Sequence, residues 1–432
     1  MRRFLGVILA GLAVSSCAYA AESADVRLSS FGTLGYARSG NEHRYQRFID
    51  SDGTLTRDSL LGFQADAVLT PEVTATVQAR FAPSESSDKE WNVRLPWAFL
   101  AWRPSNELIL RAGKLRIPML LYSENIDVGT TFPFARLPIE VYSILPTWDF
   151  YGLSVGRSWF LGSTDVDLEG FAGWAQGTWR VYLRDDPLLV PGAVSGGWHE
   201  GISGAFVGTI LTVREAESRF RVSVLAWDSQ LDTLKFGVDY PYVPVAPGVG
   251  YYQTDPRIPG PGVPMKDSVR FYTLSVGLER ELGAGFSLIS ELAWRRSERM
   301  SLASGTNSLA GYLAVLKPMG AWTPYVYGAS LRSSEHARSL YATLEGSRLP
   351  SSVPGAAVVN LTQRWGADSA LVFDQHTLAL GTSYALGRGQ VLKAEWQRTH
   401  TGLTSAFYDA PLGASSRGQK LDVFSLSYSF SF

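Results

Sequence analysis

The five histidines are the residues best suited to catalysis at neutral pH, but their surroundings show no sign of an active site. They are His43, His199, His336, His376 and His400. Nucleophilic catalysis requires a base beside a hydroxyl or thiol group, and none of the five lies in a nucleophile motif. Their spacing along the chain matches no metal site. The sequence therefore predicts no enzyme, no metal centre and no cofactor.

Charged side chains in regular alternation with apolar ones indicate a different chemistry, the lining of a polar passage. In residues 73–81, an apolar side chain at every second position alternates with two threonines, a glutamine and Arg80. Successive side chains of a β-strand point to opposite faces, so one face of this segment is apolar and the other polar. Arg94 and Arg111 occupy polar-face positions of the next two segments. The polar-face charges along the chain have both signs, so we expect most of them to pair with one another, and the sequence does not decide between an anion and a cation preference.

The last residues of the chain show the strand pattern most clearly. From Val423 to the C-terminus, aromatic or aliphatic side chains at every second position alternate with smaller ones. An uncovered apolar row on an edge strand would promote aggregation, whereas pairing with the first strand of a barrel removes the edge and turns the row towards lipid. We therefore expect Tyr428, Phe430 and Phe432 to close the barrel wall and support its assembly.

Sixteen segments have this two-residue period, and no apolar run after residue 20 is long enough for a membrane-spanning helix. The segments are residues 26–38, 61–69, 73–81, 91–103, 108–113, 150–159, 166–174, 203–213, 220–227, 269–280, 286–296, 308–317, 322–331, 377–386, 391–399 and 420–432. Turns of three or four residues alternate with connections of seven to about forty, which predicts short periplasmic turns and long external loops. Counts of fourteen and eighteen strands are the alternatives, because residues 240–264 and 333–373 could hide or mimic a hairpin.

The N-terminus has the three regions of a secretory signal peptide. A positively charged start precedes an apolar run and a small-residue cleavage site that ends at Ala20. We expect residues 1–20 to be removed and residues 21–432 to form one domain; lipidation of Cys17 is the alternative. Removal takes away two of the 39 basic residues, leaving 37 against 40 acidic residues and a formal charge of −3. Such a chain is not expected to bind nucleic acid.

Together these features resemble those of the Gram-negative outer-membrane porins. Members of that family end in an alternating strand with a terminal Phe, and Phe432 is such a residue. Several specific porins carry a Gly-basic-x-basic-x-Pro passage before the third external loop, and residues 113–118 are similar to it. The resemblance implies an all-β protein, a transmembrane antiparallel β-barrel of about 16 strands with an inward-folded third loop, in the bacterial outer membrane. It implies passive diffusion of small hydrophilic solutes or ions through a water-filled pore. The basic ladder of phosphate-selective porins is missing.

Residues 118–149 follow that passage, and we expect them to form the constriction of the pore. They contain too many large apolar side chains for a loop in water, so they should pack on the inner wall. Charges of the loop would then lie opposite inward arginines, an arrangement that orients and filters small solutes. The candidate pore-lining residues are Arg80, Arg94, Arg111, Lys114, Arg116, Glu124, Asp127, Arg136 and Glu140. The alternative is a segment that caps the barrel from outside or contacts a neighbouring subunit.

Two other functions stay open. A barrel could act through its external loops in adhesion or binding, and the aromatic residues between positions 240 and 252 suit that role. A barrel hydrolase is the other alternative. The predicted partners are outer-membrane lipid, lipopolysaccharide, the outer-membrane assembly machinery and small hydrophilic solutes. The chain could work as a monomer or as a homotrimer, and the sequence does not identify the solute.

Overall fold

The computed structural model describes residues 25–432, which form one closed barrel of sixteen antiparallel strands. The strands are β1 (Asp25–Ser39), β2 (Leu60–Val68), β3 (Val73–Pro83), β4 (Trp91–Trp102), β5 (Leu108–Arg116), β6 (Asp149–Leu161), β7 (Thr164–Leu183), β8 (Gly196–Glu215), β9 (Ser218–Leu231), β10 (Ser268–Leu282), β11 (Phe286–Ser297), β12 (Ser308–Leu316), β13 (Trp322–Ser333), β14 (Phe373–Gly387), β15 (Gln390–Ser405) and β16 (Lys420–Ser431). Each corresponds to a sequence-predicted strand, so the predicted count of sixteen is confirmed. The predicted signal peptide, residues 1–20, lies outside the described residues, as does Cys17.

Strands β1 and β16 close the barrel. They pair antiparallel along a ladder that ends with Phe31 opposite Ser431. Beyond it, the backbone N–H of Ser30 donates to the carbonyl of Phe432 at 2.9 Å, and the N–H of Phe432 donates to the carbonyl of Ser30 at 2.8 Å. The last residue therefore completes the hydrogen-bonded wall, and the sheet closes on itself.

The three side chains predicted to support closure lie near this seam. The rings of Phe430 and Phe432 stack with centroids 5.5 Å apart. The hydroxyl of Tyr428 donates a hydrogen bond to Gln390 of β15 at 2.9 Å. The Tyr428 contact joins β16 to β15, and the stacked rings lie within the end of β16. The part of the three residues in assembly stays a prediction.

The two faces of the wall differ as the alternation predicts. In β16, Phe424 and Leu426 are 59% and 56% exposed on the outer face, while Val423 and Ser427 are buried. Large exposed aliphatic and aromatic side chains also cover the outer face of the other strands. An apolar surface of this extent is stable against lipid rather than water, so the outer wall is a membrane-facing surface.

The alternation predicted for β4 is wrong in the second half of the strand. The sequence pattern places Ala101 outside, but Ala101 is buried and Leu100 is 52% exposed. The ladder between β3 and β4 shifts its register between Gln78 and Arg80, where two residues of β4 oppose one of β3. One of the two is Pro96, which has no N–H to donate. The bulge reverses the faces of all the residues of β4 that follow it.

Short turns join the strands at one end of the barrel and longer connections join them at the other. In outer-membrane barrels the long connections are external. They are L1 (residues 40–59), L2 (84–90), L3 (117–148), L4 (184–195), L5 (232–267), L6 (298–307), L7 (334–372) and L8 (406–419). Short turns and long loops alternate along the chain as the sequence predicts.

The stretches that left the strand count open contain local structure outside the barrel sheet. L5 holds two short strand pairs, Phe236–Gly237 with Met265–Lys266 and Tyr242–Ala246 with Val249–Tyr252. Helix α1 (Ile139–Tyr142) lies in L3, and L7 contains α2 (Glu335–Gly346) and α3 (Ala356–Asp368). Single 3-10 turns occur at Gly129–Thr131, Gly283–Gly285 and Ser304–Thr306. Among residues 25–432, no helix has the length and apolar character to cross a membrane.

Candidate pore constriction

The chain leaves β5 for L3 through a bend that requires glycine. Gly113 has a φ of 134°, and a Cβ at this position would lie 2.4 Å from the carbonyl oxygen of Ala98. Only glycine allows this backbone conformation together with so close an approach to β4. Arg116 ends the strand three residues later, and Ile117 is already buried. The glycine of the porin-like passage therefore has a physical reason in this chain.

L3 lies inside the barrel because its apolar side chains pack on the inner wall. Met119 and Val141 are at most 1% exposed and belong to one apolar cluster with inward side chains from β6 to β14. The ring of Phe134 makes edge-to-face contacts with Tyr325 and Tyr327 at centroid distances of 5.2 and 5.5 Å. Burial of one large apolar side chain contributes roughly 1.5–3 kcal/mol, so this packing fixes the segment firmly. The expectation of an inward-folded third loop is confirmed.

Two charged side chains of the wall hold the backbone of L3. Glu291 of β11 accepts a hydrogen bond from the N–H of Leu121 at 2.6 Å and one from the hydroxyl of Tyr142 at 2.7 Å. Lys393 of β15 donates from Nζ to three carbonyl groups of L3 at 2.5, 2.8 and 2.8 Å. Sequence reasoning missed both anchors, since their partners are groups of a segment more than a hundred residues away.

Asp127 of L3 lies between two of the predicted arginines. Arg80 Nη1 donates to one carboxylate oxygen at 2.8 Å, and Arg116 Nη2 forms an ion pair with the other. Burial alone would raise the pKa of Asp127, but the charges of Arg116 and Arg80 outweigh it and lower the pKa to about 2. The structure therefore brings Arg80, Arg116 and Asp127 together as one charged group at the edge of L3.

Arg94 and Lys114 pair with acidic residues that the sequence analysis did not select. Arg94 forms an ion pair with Glu85 of L2, and the same carboxylate accepts a hydrogen bond from Arg80 at 3.0 Å. Lys114 Nζ lies 3.9 Å from Asp149. A signal existed for Glu85, because it is an acidic residue in a short loop between two strands with inward arginines. Glu85 extends the charged group around Arg80 to L2.

Arg136 lies opposite L1 rather than opposite the other predicted arginines. Its Nε donates to Asp58 at 2.8 Å, and Nη2 pairs with the second carboxylate oxygen. Burial opposes ionisation of Asp58, but the positive charge of Arg136 and its hydrogen bonds lower the pKa of this carboxyl. Arg57 Nη1 is a further cation 3.7 Å from Asp58. L1 therefore supplies part of the site, which sequence reasoning missed.

Arg111 and Glu124 each form an ion pair with a strand of the wall, β7 and β9 respectively. Arg111 Nη1 donates to Glu169 of β7 at 3.2 Å. Glu124 lies 3.6 Å from Arg221 Nη2 of β9. Both predicted residues therefore face the lumen side, but neither contacts the group around Asp127.

The predicted position of Glu140 opposite the inward arginines is wrong. Its side chain is buried in the first turn of α1 and accepts hydrogen bonds from Gln375 at 2.7 Å and from Thr377 at 2.5 Å, both in β14. Burial raises the pKa of Glu140, and the hydrogen bonds from Thr377 and Gln375 only partly compensate. Glu140 therefore anchors α1 to the wall and does not contribute an opposed charge.

A cavity of about 480 Å³ lies between L3, L1, L2 and the inner wall. Its lining contains eight cationic side chains, Arg47, Arg57, Arg80, Arg116, Arg136, Arg180, Arg295 and Lys393. Its four acidic side chains are Asp58, Glu85, Asp127 and Asp149. Asp88 and Asp409, just outside the lining, pair with Arg47 and Arg180 and offset part of this positive charge. The remaining excess of cations produces a positive potential, which attracts anions more than cations. The sequence alone leaves the ionic preference open, because it does not separate the charges that line the cavity from the rest.

Residue 199 lies outside the predicted strand segment 203–213, so the sequence places His199 in a loop. The structure instead places it in the long strand β8, 3.4 Å from Asp88. His376 and His400 are cross-strand neighbours with ring centroids 5.0 Å apart. Their 24-residue separation hides this contact from any reading of local spacing.

The closed sixteen-stranded barrel, its apolar outer wall and the inward third loop together define the outer-membrane porin fold. No protein-family model matches the chain, and no curated protein sequence matches it. Among solved structures, the chain is similar to OprB of Pseudomonas putida, with a TM-score of 0.52, 11% identity and 94% of each chain covered. It is also similar to the outer membrane channel DcaP of Acinetobacter baumannii, with a TM-score of 0.50, 14% identity and coverage of 95% of this chain and 99% of that one. The likeness shows a shared barrel fold.

Proposed function

We propose that this protein is an outer-membrane porin that lets small hydrophilic solutes or ions diffuse passively, with no catalytic step. The observation that carries the proposal is the charged cavity beside L3, inside a barrel whose outer wall suits lipid. A barrel of sixteen strands is too wide for side chains alone to fill, so its free interior holds water. In this proposal residues 1–20 are removed, residues 21–432 form the working domain, and the assembly machinery of the outer membrane inserts it.

Within the pore, residues 118–149 act as the constriction. Support comes from the anchoring of L3 by Glu291 and Lys393, since a segment held in this way keeps a constant cross-section. The charged group of Arg80, Arg116 and Asp127 sits at the edge of that segment. Charged groups at a narrow waist select solutes by charge and orientation. The excess of cations in the cavity lining favours anionic solutes.

The size of the pore is tested by shortening L3. Residues 122–140 are replaced by a Gly-Ser link, and single-channel conductance is measured in planar bilayers. Conductance should rise several-fold, because the narrowest cross-section is enlarged. The matched control replaces residues 242–252, the short strand pair of L5, by the same link and should leave conductance near the wild-type value. A correctly inserted L3 variant with wild-type conductance would contradict the constriction.

The ionic preference is tested by the reversal potential in a salt gradient. The wild-type pore should pass chloride more readily than potassium, and Arg136→Gln should move the reversal potential towards the cation side. Arg157→Gln is the matched control, because Arg157 is 57% exposed at the barrel end beside Glu107 and does not line the cavity. Equal reversal potentials for the wild type and Arg136→Gln would contradict the role of this charge.

Native mass spectrometry of the same preparation distinguishes a monomer from a homotrimer.

A second function, binding of a partner through the external loops, is favoured by the ordered structure of L4 and L7. Arg184 of L4 donates to Asp368 at 2.8 Å and to Glu345 at 2.8 and 2.6 Å, which ties α3 and α2 together. Rigid loops lose little conformational entropy on binding, so they suit recognition. If this is the main function, the purified protein should bind cells or matrix components, and Arg184→Gln, which removes the contacts to α2 and α3, should weaken that binding without changing conductance.

A further inference from the structure

The external rim of the barrel has a notch above β12. β12 begins at Ser308, which lies opposite Arg295 of β11 and Ser333 of β13. β11 continues two residues further, to Ser297, and on the other side the chain enters α2 directly after β13. The notch has a volume of about 770 Å³ and its floor is formed by residues 307–309. It opens on the outer wall, because the outward-pointing Trp294 and Leu309 line it.

The walls of the notch are positively charged. Arg296 and Arg299 line one side, Arg332 and His336 line the other, and no Asp or Glu is among the described residues that line it. Arg296 forms no ion pair with any described residue. Arg299 pairs with Asp239 at 2.7 Å, but its side chain is still 65% exposed. Arg332 Nε lies 3.5 Å from Asp374, but its side chain is 60% exposed. The notch therefore contains three arginines and a histidine that are accessible from the membrane side.

The height of these charges on the wall matches the surface of the membrane. Trp294 of β11 lies directly opposite Leu309 of β12, and Leu309 lies opposite Arg332 of β13. Trp294 and Leu309 are 42% and 49% exposed to the outside and are the last large apolar residues of their strands towards the external rim. Arg332 therefore stands at the edge of the apolar band, and Arg296 stands one outward position above it. This is the depth at which lipid headgroups meet water.

We propose that the notch binds the phosphate groups of a phosphorylated glycolipid in the outer leaflet, such as lipopolysaccharide. The planar guanidinium groups of Arg296 and Arg332 suit phosphate, to which arginine donates paired hydrogen bonds. Trp294 and Leu309 directly below offer an apolar surface for the acyl chains of the same molecule. Binding of this kind is independent of conduction, so the proposal holds whether or not the barrel passes solutes.

The experiment measures lipid binding to the full barrel, purified in detergent and stripped of bound lipid, by native mass spectrometry. The probes are bisphosphorylated lipid A, the same lipid without its phosphates, and inorganic phosphate. The double variant Arg296→Gln/Arg332→Gln should bind bisphosphorylated lipid A at least tenfold more weakly than the wild type. The matched control is Arg270→Gln, a rim arginine of β10 that pairs with Asp228 and does not line the notch.

Further arms of the experiment identify the ligand. Lipid A without its phosphates should bind the wild type weakly. Its affinity should be no higher than that of bisphosphorylated lipid A for the double variant. Equal binding of bisphosphorylated lipid A to the wild type and the double variant would overturn the proposal. So would full displacement of the lipid by millimolar inorganic phosphate, which would identify a site for free anions. The single variant Arg296→Gln removes a side chain without an ion pair, so it should fold normally and still lose several-fold affinity.

Discussion

Arg180 of β7 donates two hydrogen bonds to the carboxylate of Asp409 in L8, from Nη1 at 2.8 Å and from Nη2 at 2.6 Å, although β7 and L8 lie on opposite sides of the barrel. Nε of the same guanidinium donates to Asp88 of L2 at 2.8 Å. Asp88 also accepts a hydrogen bond from Arg47 of L1 at 2.8 Å. A chain of alternating charges therefore crosses the external mouth and joins three loops to one strand.

We expect Arg180→Gln to loosen this connection. Arg180 is the counter-ion of the buried Asp409, whereas Asp88 would keep Arg47 as a partner. Removal of one partner from a buried ion pair typically costs about 3–5 kcal/mol. Amide hydrogen exchange in L2 and L8 should become at least tenfold faster, and conductance should increase as the mouth widens. Arg157→Gln, which breaks an exposed pair with Glu107, should change neither quantity. Unchanged exchange in L2 and L8 would contradict the bridging role of Arg180.

The lowered pKa of Asp127 predicts a loss of stability in acid. The folded protein holds this pKa at about 2, below the ordinary value of 3.8, because Arg116 and Arg80 stabilise the carboxylate. A depressed carboxyl pKa stabilises the fold fully above the unfolded value and loses that contribution as the pH falls through the folded value. The shift corresponds to about 2 kcal/mol. This contribution should disappear between pH 4 and pH 2.

The measurement compares thermal unfolding of the wild type and Asp127→Asn across that range of pH. The variant should be less stable at pH 6, and the difference should become small near pH 2, where the wild-type carboxyl is half protonated. Asp228→Asn removes an exposed pair with Arg270 and should have little effect at any pH. A difference between wild type and Asp127→Asn that persists at pH 2 would show that lost packing, not lost charge, causes the effect.

The strands of the barrel could be predicted from the sequence because the two-residue period is a local signal. The period failed where local chemistry changes: at Pro96, where a bulge reverses the faces, and at the ends of β7 and β8. The pattern predicts residues 166–174 for β7, whereas the strand continues to Leu183. Beyond the membrane the outer face need not be apolar, so the alternation fades there although the backbone ladder continues.

The site could be predicted only in part, because the pairing of charges depends on closure of the barrel. The inward position of Arg80 follows from periodicity, and the inward fold of L3 follows from its apolar content. Arg116 was selected only as part of the porin-like passage. The partner of Arg136 is Asp58, 78 residues away, and no local pattern connects the two. Glu140 looked like a pore charge, but its position at the start of α1 aims it at β14 instead. Contacts between residues so far apart in the chain leave no pattern in the sequence.

Phe134 should be the most important apolar anchor of L3. Its ring is fully buried among three tyrosines, so Phe134→Ala should destabilise the segment by about 3–5 kcal/mol. L3 should then exchange amide hydrogens faster, and the open-channel current should become noisier. The matched control is Phe160→Ala, because Phe160 is 61% exposed on the outer face. If the two variants behaved alike, packing by Phe134 would not be what fixes L3.

Closure at the C-terminus should depend on the backbone of Phe432 as well as on its ring. Deletion of Phe432 removes both hydrogen bonds to Ser30, whereas Phe432→Ala keeps them and removes only a ring that is 63% exposed. If assembly machinery reads the ring, both variants should insert less protein into the outer membrane, as measured by heat-modifiable gel mobility. If the backbone seam alone matters, only the deletion should reduce insertion. Phe424→Ala, which truncates an equally exposed ring in the middle of β16, should insert normally. Normal insertion of the deletion variant would contradict any role of the last residue in closing the barrel.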